Sequence, residues 1–252
     1  MARIIKCGYE ILTPLDPEIG MDILKHIERV ARTCYKSETA ITEQSSANMV
    51  RRLIANNHLA MLEHFSISVK FITDRGVSHE IVRHRIASYA QESTRYCNYG
   101  SDKFNNEITV ISPLSAMDMK RPDSSNPINI GRWYDTWVDS VVESEKKYLK
   151  LIELGCPPEI ARGVLPTSLK TEIVVTMNLR EWRHFFELRA IGTTGKPHPQ
   201  IYEIAKPLLF KLNEYIPVVF EDLAERLKYR TPYVDESAMQ SAGAEVMRSA
   251  TE

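Results

Sequence analysis

Along this chain the spacing of apolar residues switches between two and three-to-four, and the switches mark its elements. Residues 3–12 are rich in Ile, Tyr and Leu and predict a first strand. Asp16-Pro17-Glu18 then reads as a helix start, with Asp16 as N-cap and Pro17 at the first helical position. Ile23, Leu24, Ile27, Val30 and Ala31 follow at helical spacing, and that helix is expected to end near Ser37. Residues 42–57 predict a second amphipathic helix with Met49, Leu53 and Ile54 on one face. Residues 65–71 alternate apolar and polar, as a half-buried strand does. Asp74 can cap a helix running toward Arg83, with Val77 and Ile81 inward.

Residues 97–130 are rich in Asn, Ser, Asp and Pro, apart from a short strand expected at 108–111. A long helix is expected over residues 131–154, carrying Trp133, Trp137, Val141 and Tyr148, and Gly155-Cys156-Pro157-Pro158 stops it. A short helix holds Arg162 and ends at Val164-Leu165-Pro166. Residues 169–177 read as a strand, with Ile173, Val174 and Val175, while 179–190 and 197–215 read as helices. The Gly192-Thr193-Thr194-Gly195 stretch between those helices reads as a flexible loop with no assigned role. With no repeat or linker inside residues 1–228, these form one domain, and residues 229–252, small and polar after Tyr233, read as a flexible tail.

Charge narrows the choice of function. The 252 residues carry 32 basic and 33 acidic side chains, net −1, which argues against a protein that coats nucleic acid. Anion binding must therefore come from local clustering. Cys7, Cys34, Cys97 and Cys156 form no CxxC pair, so zinc-ribbon or thioredoxin-like chemistry is not indicated. The N-terminus lacks the apolar stretch of a signal peptide, and no run approaches the ~20 apolar residues of a membrane span. The composition points to a cytoplasmic protein bound to neither membrane nor nucleic acid.

Two clusters carry candidate chemistry. The first runs from Arg83 to Tyr96 and holds Arg83, His84, Arg85, Gln91, Glu92, Ser93 and Arg95. Its cations are all arginine, whose planar fork fits phosphate or carboxylate oxygens two at a time. The expected partner is an anion with several phosphates, or two anions side by side. The second cluster is Thr176–Arg189, in which Arg180, His184 and roughly Glu187 or Leu188 share a helical face. Taken alone it also fits a solvated, salt-bridged helix. His58, Glu63 and His64 precede the 65–71 strand, but a six-residue histidine spacing across a turn is not a zinc pattern, and no metal is expected.

Arg83-His84-Arg85, seven residues, Ser93, then Arg95-Tyr96 resembles the signature of the flavin-dependent thymidylate synthases. The Asn178…Arg189 string resembles that family's second motif. The resemblance implies an α+β fold: a single domain with a central, mostly antiparallel sheet packed by helices, assembling as a homotetramer with active sites shared between subunits. It implies that Arg83, His84, Arg85, Gln91, Asn178, Arg180, His184 and His58 contact FAD. It places Glu80, Arg83, Gln91, Glu92, Ser93, Arg95, Arg162 and Arg189 at the substrate dUMP, with Arg189 as the catalytic group. Two positions depart from the family pattern. Ala60 stands where relatives carry a small hydroxyl near the flavin, and Glu80 where they often carry glutamine.

The implied reaction is reductive methylation of dUMP to dTMP, with methylenetetrahydrofolate as carbon donor and NADPH-reduced FAD as hydride carrier. No GxGxxG motif follows the first strand, and none of the cysteines has the setting of a nucleophile. Two rival classes remain: a metal-dependent nucleotide phosphohydrolase, which wants an acidic metal cluster absent near His58 and His84, and a nucleic-acid module, which wants a basic domain.

Overall fold

The computed structural model describes residues 2–119, 128–229 and 232–233. It divides the expected first strand in two. β1 (Arg3–Ile5) pairs in parallel with β5 (Thr109–Ile111), whereas β2 (Gly8–Ile11) joins a different sheet. The apolar run of residues 3–12 is continuous in composition but serves two partners, which its periodicity cannot show.

The larger sheet has the order β2-β3-β6-β4 and is antiparallel throughout. Its centre is the pair β3 (Ser66–Asp74) and β6 (Lys170–Asn178), in register from Ser66↔Asn178 to Asp74↔Lys170. Alternate residues Ile67, Val69, Phe71 and Ile173, Val175, Met177 are buried, as period-two patterning requires. The edge strand β4 (Ala87–Gln91) lies inside the arginine-rich run and was not expected, because Ala-Ser-Tyr-Ala-Gln has no clear apolar alternation and little β-branching. It is held by pairing with β6 rather than by its own pattern.

Helices cover the apolar face of this sheet. α1 (Pro17–Thr33) starts as expected, with Asp16 accepting from the Ile19 amide at 2.8 Å, but ends short of Ser37. Gly20 on α1 lies against the end of a later helix, where a Cβ would sit 1.8 Å from the Tyr215 carbonyl oxygen. α2 (Ser45–Ala55) packs on α1, and a 3-10 turn over Leu59–His64 leads into β3. Asp74 then caps α3 (Arg75–Ile81) through the Val77 amide at 2.7 Å, as expected.

Beyond β5 come α4 (Leu114–Met119), the long α5 (Ile128–Glu153) and the short α6 (Pro158–Ala161). Tyr99, Ile108, Val110, Val141, Tyr148 and Leu169 form a second, smaller apolar cluster beneath α5. α7 (Leu179–Phe186), α8 (Pro199–Tyr215) and α9 (Pro217–Tyr229) complete the main core, with Trp182, Phe185, Phe186 and Phe220 fully buried. The expected helix 179–190 changes hand-width at Phe186: residues Glu187–Ile191 form a π turn. Gly192 closes it at φ 75°, its amide reaching the Glu187 carbonyl at 2.9 Å. A Cβ there would lie 2.8 Å from the Gly195 carbonyl oxygen, so both conformation and space favour glycine.

The architecture is α+β, with a mostly antiparallel sheet in one domain. The tail was expected from residue 229, but Tyr229 is the last residue of α9; beyond it only Pro232 and Tyr233 fall within the described residues, and Tyr233 packs on Tyr202 with ring centroids 5.0 Å apart. Among the described residues, no helix is long and apolar enough to cross a membrane.

Candidate active site

The sheet register explains why distant motifs meet. β3 begins, β6 ends and β4 begins at the same end of the sheet, since Ser66 faces Asn178 and Ala87 faces Met177. The segments flanking those points are residues 58–64, 83–86 and 178–184. They surround a cleft of about 490 Å³ lined by Ile54, Leu59, Glu63, Ile86, Arg180 and His184, among others. Its walls combine apolar side chains with an arginine fork, a setting suited to a planar ring system carrying anionic groups.

The deepest part of this region is a hydrogen-bonded chain. Asn178 caps α7, its side-chain oxygen accepting from the Glu181 amide at 2.9 Å, which sets Glu181 in the first turn. The Glu181 carboxylate lies 3.1 Å from His84 Nδ1. His84 Nε2 accepts from Arg189 Nε at 3.2 Å. Arg189 Nη1 donates to the Glu80 carboxylate at 2.9 Å, and its Nη2 to the Glu80 carbonyl at 3.1 Å. Burial draws Arg189 below the usual guanidinium range, with the Glu80 charge opposing and Arg83 adding to the effect. The hydroxyl of Tyr89 reaches the carbonyls of Ile81 and His84 and fixes the turn between them. Burial, and next the Glu181 charge, push that phenol up to about 12, so it remains a donor.

Arg189 stands on the π turn and lines a second cleft of about 440 Å³ with Glu80, Thr194, Lys196 and His198. A guanidinium has five N–H donors and three are engaged here, leaving two for a ligand. Such π turns recur at functional sites because the extra residue re-aims a side chain.

The remaining residues named from the sequence are distributed as follows. Arg83 and Arg85 are exposed and, among the described residues, make no side-chain hydrogen bond or ion pair. Arg180 is held by Glu63 at 2.6 Å, and the exposed His184 ring lies 5.6 Å from that of His84. His58 is turned to a third cleft of about 330 Å³ with Arg52 and Tyr35. At the other end of β4, Gln91 donates to Ser78 and Thr171. Glu92 accepts from Lys170 at 3.0 Å and Tyr99 at 3.1 Å. Ser93 accepts from the Arg95 amide, while Arg95 donates to the Glu159 carboxylate and Arg162 to Thr94 and the Glu159 carbonyl. The two halves of the first motif are thus separated by the length of a five-residue strand, roughly 17 Å.

Sequence reasoning missed Glu181, an acid inside a basic string. The Asn178-x-x-Glu181 spacing of a helix-capping pair was the signal that could have found it. His84, Glu181 and His184 also bring ligand atoms within 4.8 Å of one another, as a metal site would. Nε2 of His84 already accepts from Arg189, and Arg180 and Arg183 line the same cleft, so the local charge disfavours a cation. Burial pushes the Cys7 thiol up to about 12 and also raises Cys97, the reverse of an activated nucleophile.

Comparison with known proteins adds four findings. Residues 21–218 match the family described as "Thymidylate synthase complementing protein". A flavin-dependent thymidylate synthase of Geobacter sulfurreducens is 32% identical over 215 residues, 82% of each chain. One from Pyrococcus furiosus is 36% identical over 151 residues, 59% of this chain and 56% of that protein. The crystal structure of a UMP/dUMP methylase, PolB, from Streptomyces cacaoi bound with 5-Br dUMP superposes with a TM-score of 0.70 at 21% identity. It covers 87% of this chain and 95% of that one, and shares the fold.

Proposed function

The chain belongs to the family of flavin-dependent thymidylate synthases, and from that premise we propose that it converts dUMP to dTMP by reductive methylation. Methylenetetrahydrofolate is the carbon donor in this reading and NADPH the reductant. One observation carries the reading above the others. Arg189, the last residue of the second motif, donates to His84, the centre of the first, across 105 residues of sequence.

The donor set fits a flavin dinucleotide. Arg83 and Arg85 offer two unengaged guanidinium forks for phosphate, and the 490 Å³ cleft beside them has apolar walls at Ile54, Leu59 and Ile86. Asn178, Arg180 and His184 line the same cleft and would hold FAD with them, whereas His58, at the third cleft, and Gln91, at the far end of β4, would join the flavin only in a site shared between subunits. The bound flavin supplies the hydride that turns the transferred carbon into a methyl group.

The chain's own work is binding and electrostatics. C5 of uracil is a poor nucleophile until negative charge accumulates on the ring. Arg189 lines the 440 Å³ cleft, and its two spare donors would there stabilise charge at N3 and the adjoining carbonyl oxygen. Donors fixed in this way are commonly worth a factor of ~10²–10³ in rate. A guanidinium offers donors and no acceptor, so Arg189 serves as a fixed charge rather than as a base. Glu80, standing where relatives often carry glutamine, orients Arg189 and offers acceptors to the nucleotide. Arg95 and Arg162, gathered by Glu159 beside Ser93 and Thr94, suit a monophosphate. Glu92 would help shape that site through Lys170 and Tyr99.

Those two groups sit at opposite ends of β4, about 17 Å apart. One mononucleotide would be hard to serve from both ends within one chain, which supports a homotetramer whose active sites are shared between subunits. Light scattering on the purified protein should give about four times 28.9 kDa. The same sample should be yellow. A colourless protein unable to take up FAD would remove the reading in favour of a phosphohydrolase or a nucleic-acid module.

A further inference from the structure

We propose that Glu181 is a positioning residue that sets the tautomer of His84 and, through that ring, aims Arg189. The proposal rests on the reading of Arg189 as the pyrimidine contact.

Arg189 can only donate. Its 3.2 Å contact with His84 Nε2 therefore requires a lone pair on Nε2, and the ring's proton must sit on Nδ1. Nδ1 then donates to the Glu181 carboxylate at 3.1 Å. This is the one arrangement of protons that satisfies both contacts. In the opposite tautomer an N–H on Nε2 would face the N–H on Nε of Arg189, and Nδ1 would turn a lone pair on the carboxylate. Both contacts would become repulsive together.

The surroundings make that choice consequential. The His84 and Glu181 side chains are only 2% and 8% exposed, so water cannot easily replace a lost partner. The imidazole is wedged between the rings of Phe185 and His184, with centroids 5.1 and 5.6 Å away, which limits its freedom to swing. Glu181 is itself fixed by the Asn178 cap at the start of α7, where the helix dipole favours a carboxylate. On the far side, Glu80 holds the two terminal nitrogens of Arg189. The guanidinium is therefore oriented by Glu80 at one edge and by the Glu181–His84 pair at the other. Glu181 lines the 490 Å³ cleft and Arg189 the 440 Å³ cleft, so the chain crosses the wall between them. Glu181 acts on the pyrimidine site without touching it, as buried carboxylates do when they hold a histidine tautomer for a working group beyond.

The test uses the FAD-loaded protein and the Glu181→Leu variant, which leaves Nδ1–H without an acceptor in a buried setting and so disfavours that tautomer. Long-range 1H–15N spectra of histidine-labelled protein should show His84 protonated at Nδ1 in the wild type and not in the variant. Calorimetry should show dUMP binding weakened about 10-fold, with FAD retained. Glu181→Asp keeps the charge at the helix start but shortens the reach, and should weaken dUMP in the same direction. His84→Gln places an amide oxygen near the Nε2 position, which can accept from Arg189 without help from Glu181. In that background, Glu181→Leu should change dUMP affinity by less than about twofold, the non-additivity expected of residues acting in series. A merely structural Glu181 predicts a lower Tm, unchanged dUMP affinity in the folded protein, and additive effects in the two backgrounds. That outcome, or a wild-type His84 protonated at Nε2, overturns the proposal. A wild-type protein that binds no dUMP removes the functional reading instead, and the ring spectra still decide whether Glu181 sets the tautomer.

Discussion

The arginines of this site fall into two groups that are built differently. Arg189 is 16% exposed at its side chain, and three of its donors are engaged by His84 and Glu80. Arg183 beside it is also buried, bidentate to Asp222 and bonded to the Val219 carbonyl. Arg83 and Arg85, by contrast, are exposed and engage no side-chain acceptor among the described residues, while the exposed Arg95 meets Glu159 and the Tyr96 ring, and the exposed Arg162 meets Thr94 and the Glu159 carbonyl. A buried guanidinium must be paired within the chain, because an unpaired buried charge costs several kcal/mol. An exposed one can wait for its anion. On the proposed function, the buried group would set geometry and the exposed group would supply affinity for the anion that arrives.

If that division is right, Arg189→Lys is the most damaging single change to turnover. Lysine keeps the charge but loses the fork, so dTMP formation should fall by about 100- to 1000-fold while FAD stays bound. Near-normal dTMP formation by a folded Arg189→Lys enzyme would place Arg189 in the fold rather than in the reaction.

The exposed group should respond in the opposite sense. Replacing Arg83 and Arg85 together with Ala should weaken FAD by about 100-fold or more, with stability changed by less than about 0.5 kcal/mol. Flavin fluorescence and thermal melts separate these effects. Full flavin after dialysis would erase the distinction between the two groups.

Asp222→Ala probes pairing in the buried group. It strips Arg183 of its carboxylate and should cost about 2 kcal/mol, less than for a fully enclosed pair because the Asp222 side chain is 43% exposed. Burial alone would raise the Asp222 carboxyl, but the hydrogen bonds and charge of Arg183 hold it below the usual range. A depressed folded pKa stabilises above the unfolded value of about 3.9, and that stability is lost as pH falls through the folded value. The wild-type advantage over Asp222→Ala in urea should therefore be flat from pH 7 to about pH 5 and shrink below about pH 4. An advantage that persists unchanged at pH 2.5 would assign it to packing.

The smallest effect concerns Ala60, exposed on the turn before β3, at the position where the family resemblance implies a small hydroxyl. Ala60→Thr should tighten FAD by about threefold to tenfold, the worth of one hydrogen bond. A loss of affinity on titration would show that this turn stands away from the flavin.

Much of this comparison was legible before any coordinates. Asp16, Asp74 and the alternation of β3 and β6 announced their elements, because caps and half-buried strands leave local signals. β4 did not, since an edge strand stabilised by its neighbour needs no pattern of its own. The division of residues 3–12 between two sheets was hidden for a related reason: pairing partners are chosen non-locally. Within the site, residue types and order named Arg83, Arg85, Arg180 and Arg189 as candidates. What sequence could not supply was their pairing. The Arg189–His84–Glu181 chain depends on the register that brings β4 beside β6 and on the π turn that re-aims Arg189.

The central claim is flavin-dependent methylation of dUMP, and following the conversion of labelled dUMP by the purified protein with methylenetetrahydrofolate and NADPH tests it most directly. dTMP should form with FAD present and stop when FAD is removed. Formation of dTMP without flavin, or none by a folded, flavin-loaded protein, would contradict the claim.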